Sequence, residues 1–332
     1  MVDVRRRSLL ATGLLTVCVL ASKATDALRE EIARSEAKCS DSANGCDDSD
    51  IVHYTELMLQ LGDAEEAPKD AIAAYEHATQ TSFEHFGVAS ELHLRCVDVL
   101  ISKLLALGLH EAAVPLCNGR VKALLEAEEH EALDSDARKR LRASRARALT
   151  KLGEVSFHAD KPTEALEALE AAVALLDAEG GLLNSTESSR ARTQLSRALV
   201  ESSGGDAAVY DRALELAQRA VADASDAVGP ENGYVPPLEL PVALNAEAGV
   251  LEKMGKIDEA LEAMQRAYML VQQVPAADPK LAQSALANLE AMMKRDSKQG
   301  GGASERLVTK LEKQAGLEPG AEIPDHMMKG EL

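Results

Sequence analysis

A cluster of basic side chains is the most distinctive chemical feature of this acidic chain. Six cations fall within ten positions: Arg138, Lys139, Arg140, Arg142, Arg145 and Arg147. Helical spacing places Arg138, Arg142 and Arg145 on one face. Guanidinium groups form paired hydrogen bonds with carboxylates, so this face is a candidate docking surface for an acidic segment of a partner. The alternative is internal pairing with the acidic residues 126–131.

No arrangement of residues predicts catalysis or a metal site. The sequence lacks the motifs of phosphate-binding loops, nucleophilic serines and zinc hydrolases. His93 and Cys96 lie three positions apart and Cys117 follows on the next predicted helix, but a fourth zinc ligand is missing. We interpret both cysteines as buried apolar residues and leave a disulfide between them open. We therefore expect no metal, no cofactor and no enzyme activity.

Composition favours a helical chain. Hydrophobic residues make up 46% of the 332 positions, yet aromatic residues make up only 2% and Trp is absent. Ala, Leu and Glu are strong helix formers, whereas sheets are enriched in aromatic and β-branched residues. The net charge of −19 disfavours nucleic acid and anionic membranes as partners.

Residues 146–177 carry the clearest structural pattern. Two segments of helical period flank a short polar break before Pro162, which suits the first turn of a helix. Small residues on the facing sides let the two helices approach closely. This pattern resembles the tetratricopeptide (TPR) repeat, although Ser156 stands where an aromatic residue or Leu is usual. The matching positions are Leu149, Leu152, Gly153, Ala165, Leu169 and Ala172.

Weaker copies of the pattern extend over residues 51–294. Their small anchor residues are Ala71, Ala113, Ala165, Ala213 and Ala260, which lie 42 to 52 positions apart. A simple TPR array repeats every ~34 residues, so the units are extended and resemble repeats of the kinesin light chain type. The sequence predicts an all-α fold, an α-solenoid of about five antiparallel helix pairs. Residues 277–294 are expected to cap it. Within a flexible C-terminal tail, 295–332, residues 297–303 are expected to form a linker and residues 304–315 a last loose helix.

The resemblance also predicts where a partner binds. First helices of TPR repeats line the concave groove. The resemblance therefore assigns to it Arg95, Asp98 and Ser102 in repeat two, Arg147, Thr150 and Glu154 in repeat three, and Asn245, Gly249 and Glu252 in repeat five. The carboxylate clamp found in some members needs a basic residue beside the Asn, and none stands there. A chaperone-binding clamp is therefore not expected.

Residues 1–24 have the layout of a secretory signal peptide. Arg5, Arg6 and Arg7 precede an apolar run that ends in small residues near Ala24. The run is short for a membrane span, so no span is expected after cleavage. An uncleaved signal anchor and a bacterial twin-arginine signal are the alternatives.

Three other features bear on the compartment. Cys39 and Cys46 bound a small acidic loop in the segment 25–50, where they would pair in an oxidising lumen. Asn184 begins an N-glycosylation sequon, although it could instead cap the next helix. Residues 329–332 resemble an endoplasmic reticulum retrieval signal, with Gly330 in place of the usual acid. Together these features predict the endoplasmic reticulum lumen or the secretory pathway.

A non-catalytic interaction scaffold is the function that these patterns favour. The groove of an α-solenoid suits a peptide or helix of a protein partner. A substrate-binding TPR subunit of an enzyme complex and a TPR protein of a bacterial envelope are the alternatives.

Overall fold

Helices account for all the regular structure in the described part of the chain. The computed structural model describes residues 24–38, 47–87, 90–129, 134–178, 185–228, 236–273, 279–298 and 300–315. The predicted signal lies outside these ranges except for its last residue, Ala24. Also outside are Cys39, Cys46, Asn184 and residues 316–332. The helices are α1 (24–38), α2 (Asp48–Ala64), α3 (Pro68–Phe86), α4 (Glu91–Ala106), α5 (His110–Glu128), α6 (Ser135–His158), α7 (Pro162–Ala178), α8 (Ser185–Ser202), α9 (Ala207–Asp226), α10 (Glu239–Lys253), α11 (Ile257–Gln273), α12 (Pro279–Lys298) and α13 (Ala303–Ala315).

The helices group into two units, residues 1–130 and 131–332. In the first unit α2 pairs with α3 and α4 pairs with α5. In the second unit the pairs are α6–α7, α8–α9 and α10–α11, followed by α12 and α13. The predicted all-α fold with five antiparallel helix pairs is confirmed.

Local sequence signals set most helix boundaries. Asp47, Ser90 and Asp134 each accept a hydrogen bond from a backbone N–H of the first turn of α2, α4 and α6. Pro68 and Pro162 begin α3 and α7, where a missing N–H breaks no helical bond. Because Asp47 is a good cap, α2 begins three residues before the predicted start.

The predicted anchors form the contact between the paired helices. All five have an exposed fraction of 0%: Ala71, Ala113, Ala165, Ala213 and Ala260. In the second unit, Leu169 and Leu176 of α7 join Leu195 and Ala198 of α8 in one apolar cluster. Small side chains therefore bring the backbones together and leucines fill the remaining space.

The C-terminal end is more tightly packed than predicted. The structure continues α12 to Lys298, and α13 packs against α11 and α12. The buried Asp296 carboxylate accepts hydrogen bonds from the Ser304 backbone N–H at 2.7 Å and from its hydroxyl at 2.8 Å. A Cβ at Gly301 would overlap Asp296, so the glycine permits a tight turn. The expected flexible linker is thus largely an ordered helix junction.

Candidate functional site

The first helices of the second unit form the candidate binding surface. Helix α8 packs against α6 on one side and α10 on the other, so the three present neighbouring faces. A cleft of about 230 Å³ crosses them. Its lining residues are Lys151, Glu154, Arg190, Thr193, Gln194, Leu238, Glu239 and Val242.

A smaller depression of about 90 Å³ continues the cleft toward the start of α6 and α8. It shares Lys151, Glu154 and Arg190 with the larger cleft and adds Arg147, Thr150 and Glu187. We call the two together the first-helix groove. Its helical spacing is regular, since Arg147, Lys151 and Glu154 follow each other at four and three positions, one face of a helix.

Ion pairs between successive first helices cross the groove. Arg147 Nη1 of α6 lies 2.9 Å from Glu187 Oε1 of α8. Arg190 Nη2 of α8 lies 3.2 Å from Glu239 Oε1 of α10. In both pairs, a cation of one repeat is neutralised by a carboxylate of the next.

The same pattern continues beyond the groove. Glu252 of α10 accepts a hydrogen bond from Arg295 of α12 at 2.8 Å. The amide of Asn288 in α12 donates to Asn245 of α10 at 3.2 Å. Side chains at the first-helix face thus tie neighbouring repeats together, and a partner would meet charges that are already paired.

One end of the cleft has a different chemistry. Leu238 is 39% exposed and lies beside the half-buried Val242, which gives this end an apolar wall. Thr193, on the facing helix, is 2% exposed. Its hydroxyl has no hydrogen-bond partner within the part of the chain that the structure describes. An apolar wall beside an unsatisfied hydroxyl can orient a ligand.

Three predicted partner-binding residues lie in the groove. Arg147, Thr150 and Glu154 line it, as the TPR resemblance implies. Their side chains already have partners within the protein. The Thr150 hydroxyl donates to the Ala146 carbonyl oxygen at 2.9 Å, and Glu154 pairs with Lys151 at 3.1 Å.

The other predicted residues lie elsewhere. Arg138, Arg142 and Arg145 are not among the residues lining the groove, although all three lie on α6 and are half-buried. At about 100° per residue they point roughly 140–180° away from Arg147. A single surface cannot use the whole basic cluster. Asn245 lies further along α10 and bonds with Asn288.

Sequence reasoning missed the remaining groove residues. Repeat four received no groove assignment, yet Arg190, Thr193 and Gln194 of α8 form the centre of the cleft. The i, i+4 spacing that links Arg147 to Lys151 would have found Arg190 and Gln194. Leu238 immediately precedes α10, and no local signal indicates that it lines a cleft.

The first unit contains the corresponding residues of repeat two. Arg95 of α4 pairs with Glu56 of α2 at 3.0 Å, and Asp98 pairs with Arg120. The Ser102 hydroxyl donates to the Asp98 carbonyl oxygen at 2.8 Å. The Arg95 and Asp98 side chains thus also connect neighbouring helices, whereas the Ser102 bond lies within α4.

A wider apolar cleft of about 530 Å³ lies on α3 and the turn between α4 and α5. Ile72, Leu107 and Leu109 line it, with Lys69 and Glu76 at its edge. Helix α3 is a second helix of its repeat, and the lining offers few polar groups to orient a ligand. The first-helix groove is therefore the better candidate site, despite its smaller volume.

Buried polar groups of α3 and α4 contact one another in the first unit. The Ser82 hydroxyl and the Thr79 carbonyl oxygen each lie 3.2 Å from His93 Nδ1. Burial lowers the pKa of His93 and raises the pKa of the Cys96 thiol. Cys96 and Cys117 are both buried thiols.

The described ranges contain no group of three or more His, Cys, Asp or Glu side chains placed to hold a metal ion. None of their helices is both long and apolar enough to cross a membrane.

Comparison with known proteins shows the fold. No protein-family model matches the chain, and no curated protein matches it. The crystal structure of BtubC (BKLC) from P. vanneervenii is similar, with a TM-score of 0.54 and 17% identity over 78% of this chain and 97% of that chain. Together with the helix pairing, this likeness confirms the predicted TPR-like α-solenoid fold.

More distant structures include two with TPR repeats in their descriptions. A structure of kinesin-light-chain TPR-like repeats from Podosopora anserina has a TM-score of 0.47 and 18% identity, over 66% of this chain and 92% of that chain. YrrB, described as a TPR protein with an unusual peptide-binding site, has a TM-score of 0.40 and 16% identity, over 73% and 92%.

Proposed function

We propose that this protein is a non-catalytic interaction scaffold that binds a segment of a protein partner in the first-helix groove. The observation that carries the proposal is the cleft itself, which crosses the first helices of three successive repeats. A segment bound there would contact α6, α8 and α10 together. Extended surfaces of this kind are how helical repeat proteins bind partners.

The geometry favours a binding role over chemistry at this surface. Each ionisable side chain of the cleft has an opposite charge as its neighbour, as with Lys151 and Glu154 or Arg190 and Glu239. Such pairs position helices and fix the register of a ligand. A substrate-binding subunit of an enzyme complex would use the same groove. Identifying the bound partner distinguishes that role from the role of a scaffold.

A cleft-filling substitution tests this proposal. Gln194 lies at the centre of the cleft, and Gln194→Trp would occupy its volume. Arg219→Trp is the matched control, because Arg219 lies on α9 with 59% of its side chain exposed. Dodecapeptides would be selected from a random phage library against the full chain, and their affinities measured by fluorescence anisotropy. We expect Gln194→Trp to abolish binding and Arg219→Trp to preserve it.

The outcome that would overturn the proposal is equally specific. It is wrong if no peptide binds the wild-type chain, or if the selected peptides bind Gln194→Trp and the wild-type protein equally. Circular dichroism of both variants would show that the helical fold is retained.

We also propose that this scaffold acts in the secretory pathway. The proposal rests on the signal-like residues 1–24, the Cys39 and Cys46 pair, the sequon at Asn184 and the retrieval-like residues 329–332. Expression in a eukaryotic host followed by endoglycosidase treatment tests it. A mobility shift that is lost in Asn184→Gln supports lumenal exposure, and absence of a shift in the wild-type chain argues against it.

A further inference from the structure

The charges of the first-helix groove restrict what it can bind. Its larger cleft is lined by two cations, Lys151 and Arg190, and two carboxylates, Glu154 and Glu239. They form two pairs, at 3.1 Å and 3.2 Å. The adjoining depression adds Arg147 and Glu187, which pair at 2.9 Å. The groove therefore carries no unbalanced charge.

At every position, a charged group of a ligand would lie beside a groove side chain of the same sign as well as one of opposite sign. An acidic side chain at Arg190 would also lie beside Glu239, and a basic one at Glu154 would also lie beside Lys151. Each would therefore place two like charges next to each other. An uncharged segment leaves all three pairs intact.

The remaining lining indicates what such a segment contains. Leu238 and Val242 offer an apolar wall for an aliphatic side chain. The Thr193 hydroxyl is buried and has no partner among the residues that the structure describes, which is a costly state for a polar group. A hydroxyl both donates and accepts, and a carboxamide does the same, so an amide satisfies it without introducing charge.

We propose that the first-helix groove binds an uncharged segment of a protein partner, with an aliphatic side chain against Leu238 and Val242 and an amide group on the Thr193 hydroxyl. This inference rests on the proposed function and specifies its ligand. It also differs from the docking of an acidic segment that the basic cluster of α6 first suggested.

Three pools of synthetic octapeptides test the charge requirement. All are N-acetylated, C-amidated and fluorescein-labelled. One is drawn from Leu, Val, Asn, Gln and Ser, one replaces two positions with Glu, and one replaces two positions with Lys. Anisotropy with the full chain is expected to show binding of the uncharged pool at least about tenfold tighter than either charged pool, with little dependence on salt.

Substitutions at Thr193 test the hydroxyl. Thr193→Val keeps the shape of the side chain and removes the oxygen, so the best uncharged peptide should bind about three- to tenfold more weakly. The midpoint of thermal unfolding of the free variant should stay the same or rise, because an unsatisfied buried hydroxyl is gone. Thr193→Ser, which keeps the hydroxyl, should retain binding.

Thr55→Val is the matched control. Thr55 is also fully buried in a first helix, but its hydroxyl donates to the Ile51 carbonyl oxygen at 2.8 Å. This variant should leave peptide affinity unchanged and should not raise the unfolding midpoint. Opposite results for the two Thr→Val variants would locate the effect at the unsatisfied hydroxyl.

The outcomes separate this inference from the proposed function. Tighter binding of a charged pool, blocked by Gln194→Trp, would overturn the inference and leave the groove as the binding site. Equal binding by Thr193→Val and the wild-type chain would overturn the role of the hydroxyl. If no pool binds the wild-type chain but selected dodecapeptides bind it and lose affinity in Gln194→Trp, the inference is wrong and the proposed function stands.

Discussion

Two helix pairs solve the same packing problem with different side chains. Tyr75 of α3 and Leu169 of α7 each lie seven positions after the proline that begins their helix. Each contacts a glycine of the preceding helix, Gly62 or Gly153 respectively, where a Cβ would overlap it. A glycine in the first helix therefore makes room for a large residue in the second in both units.

The two helix pairs differ in the contacts that the large residue makes. Leu169 makes apolar contacts with α8. Tyr75 is 2% exposed and its hydroxyl donates to Asp63 Oδ1 at 2.5 Å. The first unit contains a second buried tyrosine with polar partners, since the Tyr54 hydroxyl bonds with Glu36 and His77 at 2.9 Å. The core of the first unit thus includes paired polar groups beside its apolar cluster, whereas the α6–α7 contact is apolar.

The largest expected effect is at the tighter contact. In Gly153→Ala the new Cβ would overlap Leu169 Cγ and lie 3.1 Å from the Ala165 carbonyl oxygen, which belongs to the backbone. Overpacking costs about 1–3 kcal/mol, which outweighs the roughly 1 kcal/mol that Ala gains in helix propensity. We expect lower stability in urea unfolding followed by circular dichroism, with faster hydrogen exchange in α6 and α7.

Gly62→Ala is the comparison variant. Its Cβ would meet Tyr75 Cε1 at 2.5 Å, but Gly62 lies in the last turn of α2, where the backbone can shift. We expect a smaller loss, about half of that at Gly153. If Gly153→Ala stabilises the protein instead, the close approach of α6 and α7 does not require a glycine at this position.

The second prediction concerns the polar contact. Tyr75→Phe removes the hydrogen bond to Asp63 and should lower the stability of the first unit by about 1–2 kcal/mol, because the acceptor is a carboxylate. Cys96 and Cys117 are buried in this unit and report on its opening. In Tyr75→Phe, iodoacetamide should begin to label these two cysteines at a lower urea concentration than in the wild-type chain.

Tyr268→Phe is the control for this measurement. Tyr268 is buried in α11 of the second unit, so its substitution should leave the labelling of Cys96 and Cys117 unchanged. Identical labelling curves for Tyr75→Phe and the wild-type chain would show that the Asp63 contact contributes nothing measurable.

The third prediction is a pH dependence confined to the first unit. Burial lowers the pKa of His93, so the folded state favours the neutral ring while the unfolded chain takes up a proton below about pH 6.5. The stability that the neutral His93 ring contributes is therefore complete above that pH. This contribution is lost as the pH falls toward the lower pKa of His93 in the folded state. Hydrogen exchange of α4, corrected for intrinsic rates, should accelerate between about pH 7.5 and about pH 5.5.

His93→Gln provides the control, since Gln keeps hydrogen-bonding capacity and does not titrate in this range. The acceleration in α4 should shrink in this variant. An unchanged pH response would assign the effect to other groups.

Sequence alone predicted the features that depend on local pattern. Ala165 and Ala260 could be identified as anchors because each lies in the first turn of a helix that the sequence delimits, and both are fully buried. The spacing of Arg138 and Arg147 also shows that they cannot share a face, so the six cations do not form a single surface.

Features that depend on tertiary contacts were not predictable. The Asp296–Ser304 contact converts a glycine-rich stretch into an ordered junction, yet neither residue stands in a recognisable motif. Thr193 and Leu238 become neighbours in a cleft only because α8 and α10 pack together. No periodicity within one helix indicates which side chain of the next helix it will face.

The smallest expected effect on stability belongs to the cross-helix ion pairs. Arg147 and Glu187 are partly exposed, with 50% and 26% of their side chains accessible. Such pairs contribute about 0.2–1 kcal/mol, so Glu187→Gln should hardly change the unfolding midpoint. It does remove the carboxylate that neutralises Arg147 and leaves the groove with one unbalanced positive charge.

Binding should respond more strongly than stability. Glu187→Gln is expected to improve the affinity of the Glu-containing octapeptides and to leave that of the uncharged ones nearly unchanged, by anisotropy at low salt. Glu56→Gln, which removes the partner of Arg95 in the first unit in the same way, should change neither affinity. If acidic peptides gain nothing from Glu187→Gln, paired charges are not what excludes them from the groove.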